Sequence, residues 1–545
     1  MKAALLAVAG GLLLGLATPP AALPLGEWLV LPALMWWYAL ATAAPRPLRS
    51  GYLFGCAHAA WFSWSVSHLM WIAYALIVVA AGLYYLLANA VTRAVPRRLG
   101  PLGFAVAVAG TFWLRAMMPE IHYPHGQPCH CLWQWPLLLG SVALGGEPLA
   151  NALLAGIAAT AVEVARSWRV AIPPWGAAWR SFAIAVAAAV VATVWGAWVN
   201  AAAQGPVSEP PVRVVAIEPG WHPEEFRFAA TEAEWRALYD ELLRSRLVEP
   251  TRLELAREPV ADLILWPESS VYGKADVADV DAGRVRLDTW RLPASPARLV
   301  LGSEVRYPAG DCPAALLVEL PGGRVLGHHD KQRLVPGGEF LPLVGLLPEA
   351  VANWLGGLFE RALGTPPDVV PGGPRAPLQT AAGVPFGAML CYDNAFPGPA
   401  AEQVARGARV LVVLSNEAWY RGGGELVQLV AMTVMRALET ATPIARCTLD
   451  GWSVAVDGRG RLLDGLDLRP APQPEARILR VSLPPGRGQE PPMAWLRRVC
   501  GPVLAALCAL AAAHALWRWV RLRSAPTAVP VAAGPGAPGR RGGGS

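Results

Sequence analysis

A cysteine, a carboxylate and a lysine in this chain are each released where an apolar run ends, and together they could carry covalent acyl chemistry. Cys391 follows VPFGAML, Glu268 follows ADLILWP, and Lys331 lies in HHDKQRLVPGGEFLP after an apparent hairpin around PGGR. A thiol attacks an ester or amide as the thiolate, and an ordinary cysteine with a pKa of about 8.5 is mostly protonated at neutral pH. Glu268 suits the base that takes the proton, and Lys331 the positive field that holds the anion. Backbone N–H groups near Tyr392 would add to an oxyanion site. Singly, each residue has a blander reading: Cys391 as a packed small hydrophobe, Glu268 as a cap or surface charge. The joint pattern carries the weight, because WPES, the lysine before VPGGEFLP and LCYDN occur once each and in that order.

Such residues need a rigid scaffold, and the sequence from Val212 supplies one. VRVVAI, ADLILW, ARLVLGSEV, AALLVEL, VPFGAML and ARVLVVLSN alternate with helical stretches such as Glu232 to Leu247. Continuous apolar runs suit strands buried on both faces, so the spacing predicts a layered α/β or α+β domain with its chemistry at strand C-termini.

The remainder is too apolar for a soluble enzyme: 545 residues, 54% hydrophobic and 16% charged, with a mean hydropathy of +0.36. A bilayer core takes about 20 apolar residues as a helix. Runs of that order cover Ala3 to Thr18, Trp28 to Ala44, Tyr52 to Leu69, Trp71 to Val91, Leu102 to Met118, Leu149 to Ala165, Phe182 to Ala203 and Val499 to Trp517. The first, behind Lys2, reads equally well as a cleaved signal peptide. Arginines collect in alternate loops: Arg46 and Arg49, then Arg93, Arg97 and Arg98, then Arg166, Arg169 and Arg180. By the positive-inside rule those loops are cytoplasmic, and Arg518, Arg521, Arg523, Arg540 and Arg541 place the C-terminus there too. Arg497 and Arg498, on the outer end of the last run, go against the rule. The globular domain then lies outside a bacterial cytoplasmic (inner) membrane, in the periplasm of a two-membrane cell.

The expected fold is a polytopic α-helical membrane domain of about eight spans plus an α/β domain. Its divisions are 1–204 membrane, 205–486 exported catalytic domain, 487–524 last helix with its flanks, and 525–545 a Pro/Gly/Ala-rich cytoplasmic tail. A net charge of +6 with no basic stripe argues against a nucleic-acid partner. Eight cysteines follow no disulfide spacing.

The Glu268, Lys331, Cys391 set in its WPES, KxxxVPGGEFLP and LCYDN contexts resembles the nitrilase, or carbon-nitrogen hydrolase, superfamily over Val212 to about Pro484. With the membrane runs and the segments TFWLRAMMPEIHYPHG and GSVALGGEPLANALLAG, the chain resembles its membrane-embedded branch, the apolipoprotein N-acyltransferase family. That resemblance implies an αββα sandwich and a catalytic triad of Glu268, Lys331 and Cys391. It also implies a two-step transfer of a phospholipid acyl chain, through a cysteine thioester, to the amine of a diacylglyceryl-cysteine apolipoprotein. No cofactor is implied. Glu339 matches a second family glutamate that assists the first, and reads equally as a carboxylate binding amides of a Gly-rich loop. Tyr392 and Asp393 follow the nucleophile as a tyrosine and an acid do in the family. LVVLSNEAWY implies that Asn416 and Trp419 border the substrate.

Departures from the family fall at Glu218 for a glutamine, TLDGWS for an asparagine pair, Gly337 for a bulkier apolar residue and Leu429 for a histidine, near the expected acyl or amine pocket. Arg115 and Glu147, near outer span ends, are candidates to pair with each other or to touch a lipid head group. His122, His125, Cys129, His130 and Cys131 crowd one outer loop without the spacing of a zinc site, which favours a structural or substrate-facing loop over metal. LPLVGLLPEAVANWLGGLFERAL is apolar enough to form an arm in the outer leaflet. A membrane-tethered amidase using water as acceptor is the alternative function.

Overall fold

Alanine and glycine fill much of the apolar runs, and helices with small facing residues approach closely. The computed structural model describes residues 1–20, 24–168, 175–205, 208–221, 225, 231–287, 290, 292–363, 369–420, 423–467 and 475–524. Arg169 and the 525–545 tail lie outside them. Each apolar run is helical: Lys2–Ala17, Val30–Ala43, Pro47–Phe62, Trp71–Ala94, Gly100–Met117, Gly140–Ser167, Trp175–Ala202 and, after the sheets, Ala494–Ser524. Five of these are long and apolar enough to cross a bilayer. The first three, of 16, 14 and 16 residues, are shorter than the about 20 a full crossing takes. The Gly140–Ser167 helix breaks at Gly146, whose φ of +69° only glycine adopts freely, with Pro148 two residues on. Glu147 therefore sits at a discontinuity.

The region from Val212 forms two sheets. Its strands are β1 (Val212–Glu218), β2 (Leu263–Leu265), β3 (Lys274–Asp276), β4 (Arg298–Tyr307), β5 (Gly310–Glu319), β6 (Val325–Asp330), β7 (Leu378–Gln379), β8 (Pro385–Leu390), β9 (Val410–Ser415), β10 (Ile444–Thr448), β11 (Val454–Val456), β12 (Leu462–Gly465) and β13 (Arg477–Leu483). One sheet runs β13-β1-β2-β4-β5-β6, with β3 beside β4, and the other β12-β11-β10-β9-β8-β7. The central pairs β1-β2, β2-β4, β8-β9 and β9-β10 are parallel.

Alternation along these strands builds the layers. Val214, Ala216, Leu265 and Leu317 from one sheet meet Ala388, Leu390, Val412 and Leu414 from the other. Ile264, Trp266 and Leu299 turn outward onto Tyr239 and Leu242 of the Glu232–Leu243 helix. Met389, Leu411 and Val413 turn outward onto Val427, Val430 and Val434 of the Gly424–Thr440 helix, and the same apolar cluster continues into Trp37, Phe104 and Val142 of the membrane helices. The result is an αββα sandwich with one outer helix layer docked on the membrane bundle.

The tightest crossing joins Gly140–Ser167 to Trp175–Ala202. A Cβ on Gly196 would lie 1.9 Å from the Gly140 carbonyl oxygen, and one on Gly140 would lie 2.1 Å from that of Thr193. Gly196→Val is expected to cost about 1–3 kcal/mol through overpacking, read as a lower thermal midpoint of the detergent-solubilised protein. An unchanged midpoint would mean the backbones do not meet there.

Candidate active site

Each candidate side chain leaves the sandwich just beyond a strand. Glu268 follows β2, Lys331 follows β6, Cys391 follows β8 and Asn416 follows β9. Cys391 adopts φ +43°, a strained conformation for a residue with a Cβ, as the chain turns from β8 into the 3-10 helix Cys391–Ala395. That turn presents the sulfur at the strand end and leaves the first N–H groups of the helix without intrahelical acceptors. Glycine is forced nearby at Gly302, where a Cβ would lie 2.4 Å from the Glu268 Cα.

Lys331 is the hub. Its Nζ lies 2.9 Å from Glu268 Oε1 and 2.5 Å from Glu339 Oε1, with the lysine side chain 1% exposed. Glu268 Oε2 accepts from the Asn416 N–H at 3.1 Å, and Glu339 Oε2 accepts from the Val335 N–H at 2.8 Å. Glu339 therefore contacts both the loop amide and the lysine. The Asn416 carbonyl lies 4.0 Å from the Cys391 sulfur, at the limit for a thiol donor. Burial opposes the Lys331 charge, but the Glu268 and Glu339 carboxylates raise its pKa well above the ordinary range. Burial also pushes the Glu339 carboxyl up, against the pull of Lys331. Burial and then the Glu268 carboxylate push the Cys391 thiol up to about 12, with Lys331 pulling the other way. The raised pKa favours Cys391 as a thiol at rest, and it would need a base to act as a nucleophile.

Asp393 and Tyr392 hold the turn in place. Asp393 accepts from the N–H groups of Gln332, Arg333 and Leu390 at 3.0, 2.7 and 3.1 Å, tying the lysine loop to the cysteine turn. Burial pushes its carboxyl up to about 7 despite those donors. Tyr392 donates to the His122 carbonyl at 3.1 Å and stacks on the His122 ring. His122 in turn bonds the Leu334 carbonyl at 3.0 Å, and the Cys129 N–H donates to Asn151. The His/Cys loop thus connects the membrane helices to the cysteine turn. Trp419 is half-buried in a short 3-10 helix after β9.

Arg115 and Glu147 do not pair with each other. Glu147 lies 2.6 Å from Arg436 and 3.2 Å from His130, because the break at Gly146 turns it toward the Gly424–Thr440 helix. Arg115 donates to the His125 carbonyl and lies over the Phe112 ring at 4.5 Å.

Two of the family departures are buried in packed contacts. Glu218 is fully buried, accepts from Thr448 and Ser453 at 2.7 and 2.5 Å and pairs with Arg477, bracing β1 against the β10 end. Leu429 packs with Tyr392, Phe396 and Met432. Gly337 has φ +75°, and a Cβ there would lie 3.3 Å from Phe359 of the Glu349–Leu363 helix. The arm also exposes Trp354 (62%) and Leu346 (80%), and the Leu343 N–H donates to Glu120, just past the end of the Gly100–Met117 helix.

Sequence reading passed over two buried ion pairs, Arg436 with Glu439 at 2.8 Å and Arg446 with Glu417. Their signal was available: a charged residue inside an otherwise apolar buried segment, in VMRALE and PIARCT.

Comparison with known proteins bears on both halves. A model described as the apolipoprotein N-acyltransferase N-terminal domain matches residues 10–160, and one described as carbon-nitrogen hydrolase matches residues 212–471. The chain is 28% identical over 530 residues to an apolipoprotein N-acyltransferase of Caulobacter vibrioides, covering 89% of this chain and 90% of that one. It is 28% identical over 407 residues to that of Pseudomonas aeruginosa, covering 73% and 71%. The match to the Geobacter metallireducens protein of the same name, at 31%, spans 37% of each chain. Among solved structures, an amidase from Nesterenkonia sp. aligns at 20% identity and a TM-score of 0.31, covering 54% of this chain and 99% of that one.

Two measurements probe this geometry. Iodoacetamide labelling of Cys391, followed by peptide mass, should be slow at pH 7 and climb about tenfold per pH unit above it, because a raised pKa leaves little thiolate; a profile flat from pH 7 to 9 would contradict a resting thiol. Lys331→Ala should destabilise the protein by about 3–5 kcal/mol by leaving two buried carboxylates facing each other. Adding Glu339→Gln should recover part of that loss, and denaturant unfolding reads both.

Proposed function

The chain belongs to the apolipoprotein N-acyltransferase family, and on that premise we propose that it moves a fatty acyl group from a phospholipid to the N-terminal amine of a diacylglyceryl-cysteine apolipoprotein, with Cys391, Glu268 and Lys331 as the catalytic residues. The observation that carries the reading is the Lys331 ammonium held between Glu268 and Glu339 at the strand ends that present Cys391.

In the first step Glu268 takes the Cys391 proton as the sulfur attacks the ester carbonyl, so a thiolate that burial disfavours never accumulates. Lys331 and the N–H groups at the Tyr392 turn stabilise the tetrahedral oxyanion. Its collapse breaks the ester C–O bond, and the lysophospholipid leaves with the proton from Glu268. The incoming amine then attacks the thioester while Glu268 takes its proton. The C–S bond breaks, the amide forms, and the proton returns to the sulfur. Asp393 and Glu339 are positioning residues, one locking the lysine loop to the cysteine turn and the other fixing Lys331.

Both substrates are lipid-anchored, which suits the exposed apolar face of the Glu349–Leu363 arm and its tether at Glu120. The arm dips into the outer leaflet and shields the thioester from water. The sandwich is taken as periplasmic and the C-terminus as cytoplasmic, in a multi-pass inner-membrane protein divided as the sequence suggests.

Incubation of the purified protein with phospholipid should give an acyl mass adduct on the Cys391 peptide, absent in Cys391→Ala and released by a lipopeptide amine. Ammonia release from small amides without such an adduct would favour the hydrolase instead. Glu268→Gln should slow acyl capture by about 10²–10⁴-fold. A reporter fused after Ala203 should be active outside the cytoplasm, and cytoplasmic activity would overturn the orientation.

A further inference from the structure

Arg497 and Arg498 break the charge pattern that every other loop obeys, and the fold treats them differently. Arg498 is exposed and pairs with Glu490. Arg497 turns inward with its side chain 7% exposed; its Nη1 donates to the Ala143 carbonyl at 2.7 Å. Its Nη2 is buried without a hydrogen-bond partner among the described residues, the Glu490 Oε1 lying 3.8 Å away.

Arg497 lines a cavity of about 50 Å³, where a single water needs roughly 10–15 Å³. Arg436, fully buried and also lining the cavity, has its Nη1 without a hydrogen-bond partner among the described residues as well. Glu147 and Glu439 complete the polar side, and Trp113, Met117, Pro148 and Phe396 are among the apolar residues that face them. Buried donors without acceptors are rare in native proteins, so two guanidinium groups in this condition around one space mark a missing acceptor. Glu147 and Glu439 are both already paired with Arg436, so the donors left open around this space are Arg436 Nη1 and Arg497 Nη2.

The depth of the cavity indicates where the acceptor comes from. Met117 ends one span, Gly146 and Pro148 mark the broken start of another, and Arg497 lies in the first turn of the last. These helix termini meet on one side of the bundle, where the edge of a bilayer crossed by these helices would bring lipid head groups. The guanidinium fork fits phosphate oxygens, and the apolar wall suits the glycerol that follows. Cys391, Glu268 and Lys331 are not among the lining residues.

We propose that this cavity seats the phosphodiester of a membrane phospholipid, as a lipid site separate from the one at Cys391. It pins the last span to the outer helix layer of the sandwich through a bound lipid, and does not depend on the acyl-transfer reading.

The test uses delipidated full-length protein carrying Cys391→Ala and a phosphatidylglycerol with a photoactivatable head group, its cross-links mapped by peptide mass. Adducts are expected on residues 113–117, 146–151 or 494–500. Arg497→Gln should reduce them about tenfold, as expected for a lost charge-assisted hydrogen bond, and Met117→Trp, which fills the cavity without altering charge, should do the same. Adducts elsewhere, or adducts unchanged in both variants, would mean annular lipid only and overturn the site. Competition by diacylglycerol as strong as that by unlabelled phosphatidylglycerol would overturn the role of the phosphate. Competition by millimolar inorganic phosphate alone would reassign it to a free anion.

Discussion

A buried ammonium group cannot stand alone, and that constraint organises the catalytic half of this protein. Lys331 is almost wholly removed from water, where an uncompensated charge would cost several kcal/mol. Glu268 and Glu339 supply the compensation, at 2.9 and 2.5 Å. Since one carboxylate comes from beyond β2 and the other from the loop after the lysine, closing the charge triplet also fixes the relative position of strand ends distant in sequence. Asp393 extends the same logic to backbone groups, joining the Lys331 loop to the Cys391 turn through three N–H donors.

The membrane bundle joins this assembly through polar contacts set in an apolar seam. Gln428 donates to the Phe62 carbonyl at 2.9 Å and accepts from the Gly126 N–H at 3.0 Å, and Asn200 donates to the carbonyls of Leu438 and Gly458. Glu147 pairs with Arg436 across the same boundary. Hydrophobic contact alone would allow the Gly424–Thr440 helix to slide over the bundle, whereas directional bonds at both of its ends set one register. The consequence for chemistry is that the cysteine turn keeps a constant position relative to the helix bundle, with Tyr392 resting on the loop that follows the Gly100–Met117 helix.

Much of the sandwich was legible because buried parallel strands leave continuous apolar runs: β1, β2, β4, β5, β8 and β9 all fall on the segments read from sequence. The short β3, β7, β11 and β12 and the half-exposed β13 left no such trace. β13 carries Arg477 and Arg480 on opposite faces and exists as a strand because β1, more than 250 residues earlier, offers it an antiparallel edge. The first three apolar runs likewise read as spans but fold as helices of 14–16 residues, since composition reports apolarity more faithfully than helix length.

Residue type and order determined that a thiol, a carboxylate and an amine lie at strand ends in a chain partly dissolved in lipid, because periodicity and hydropathy are local properties. Which charges meet was decided only by the tertiary structure. Glu147 found Arg436 instead of Arg115 because a positive-φ glycine broke its helix, and Glu218 became a brace because Arg477 returned beside it on β13. Charge pairing depends on distance in space, which hydropathy and spacing along the chain do not encode.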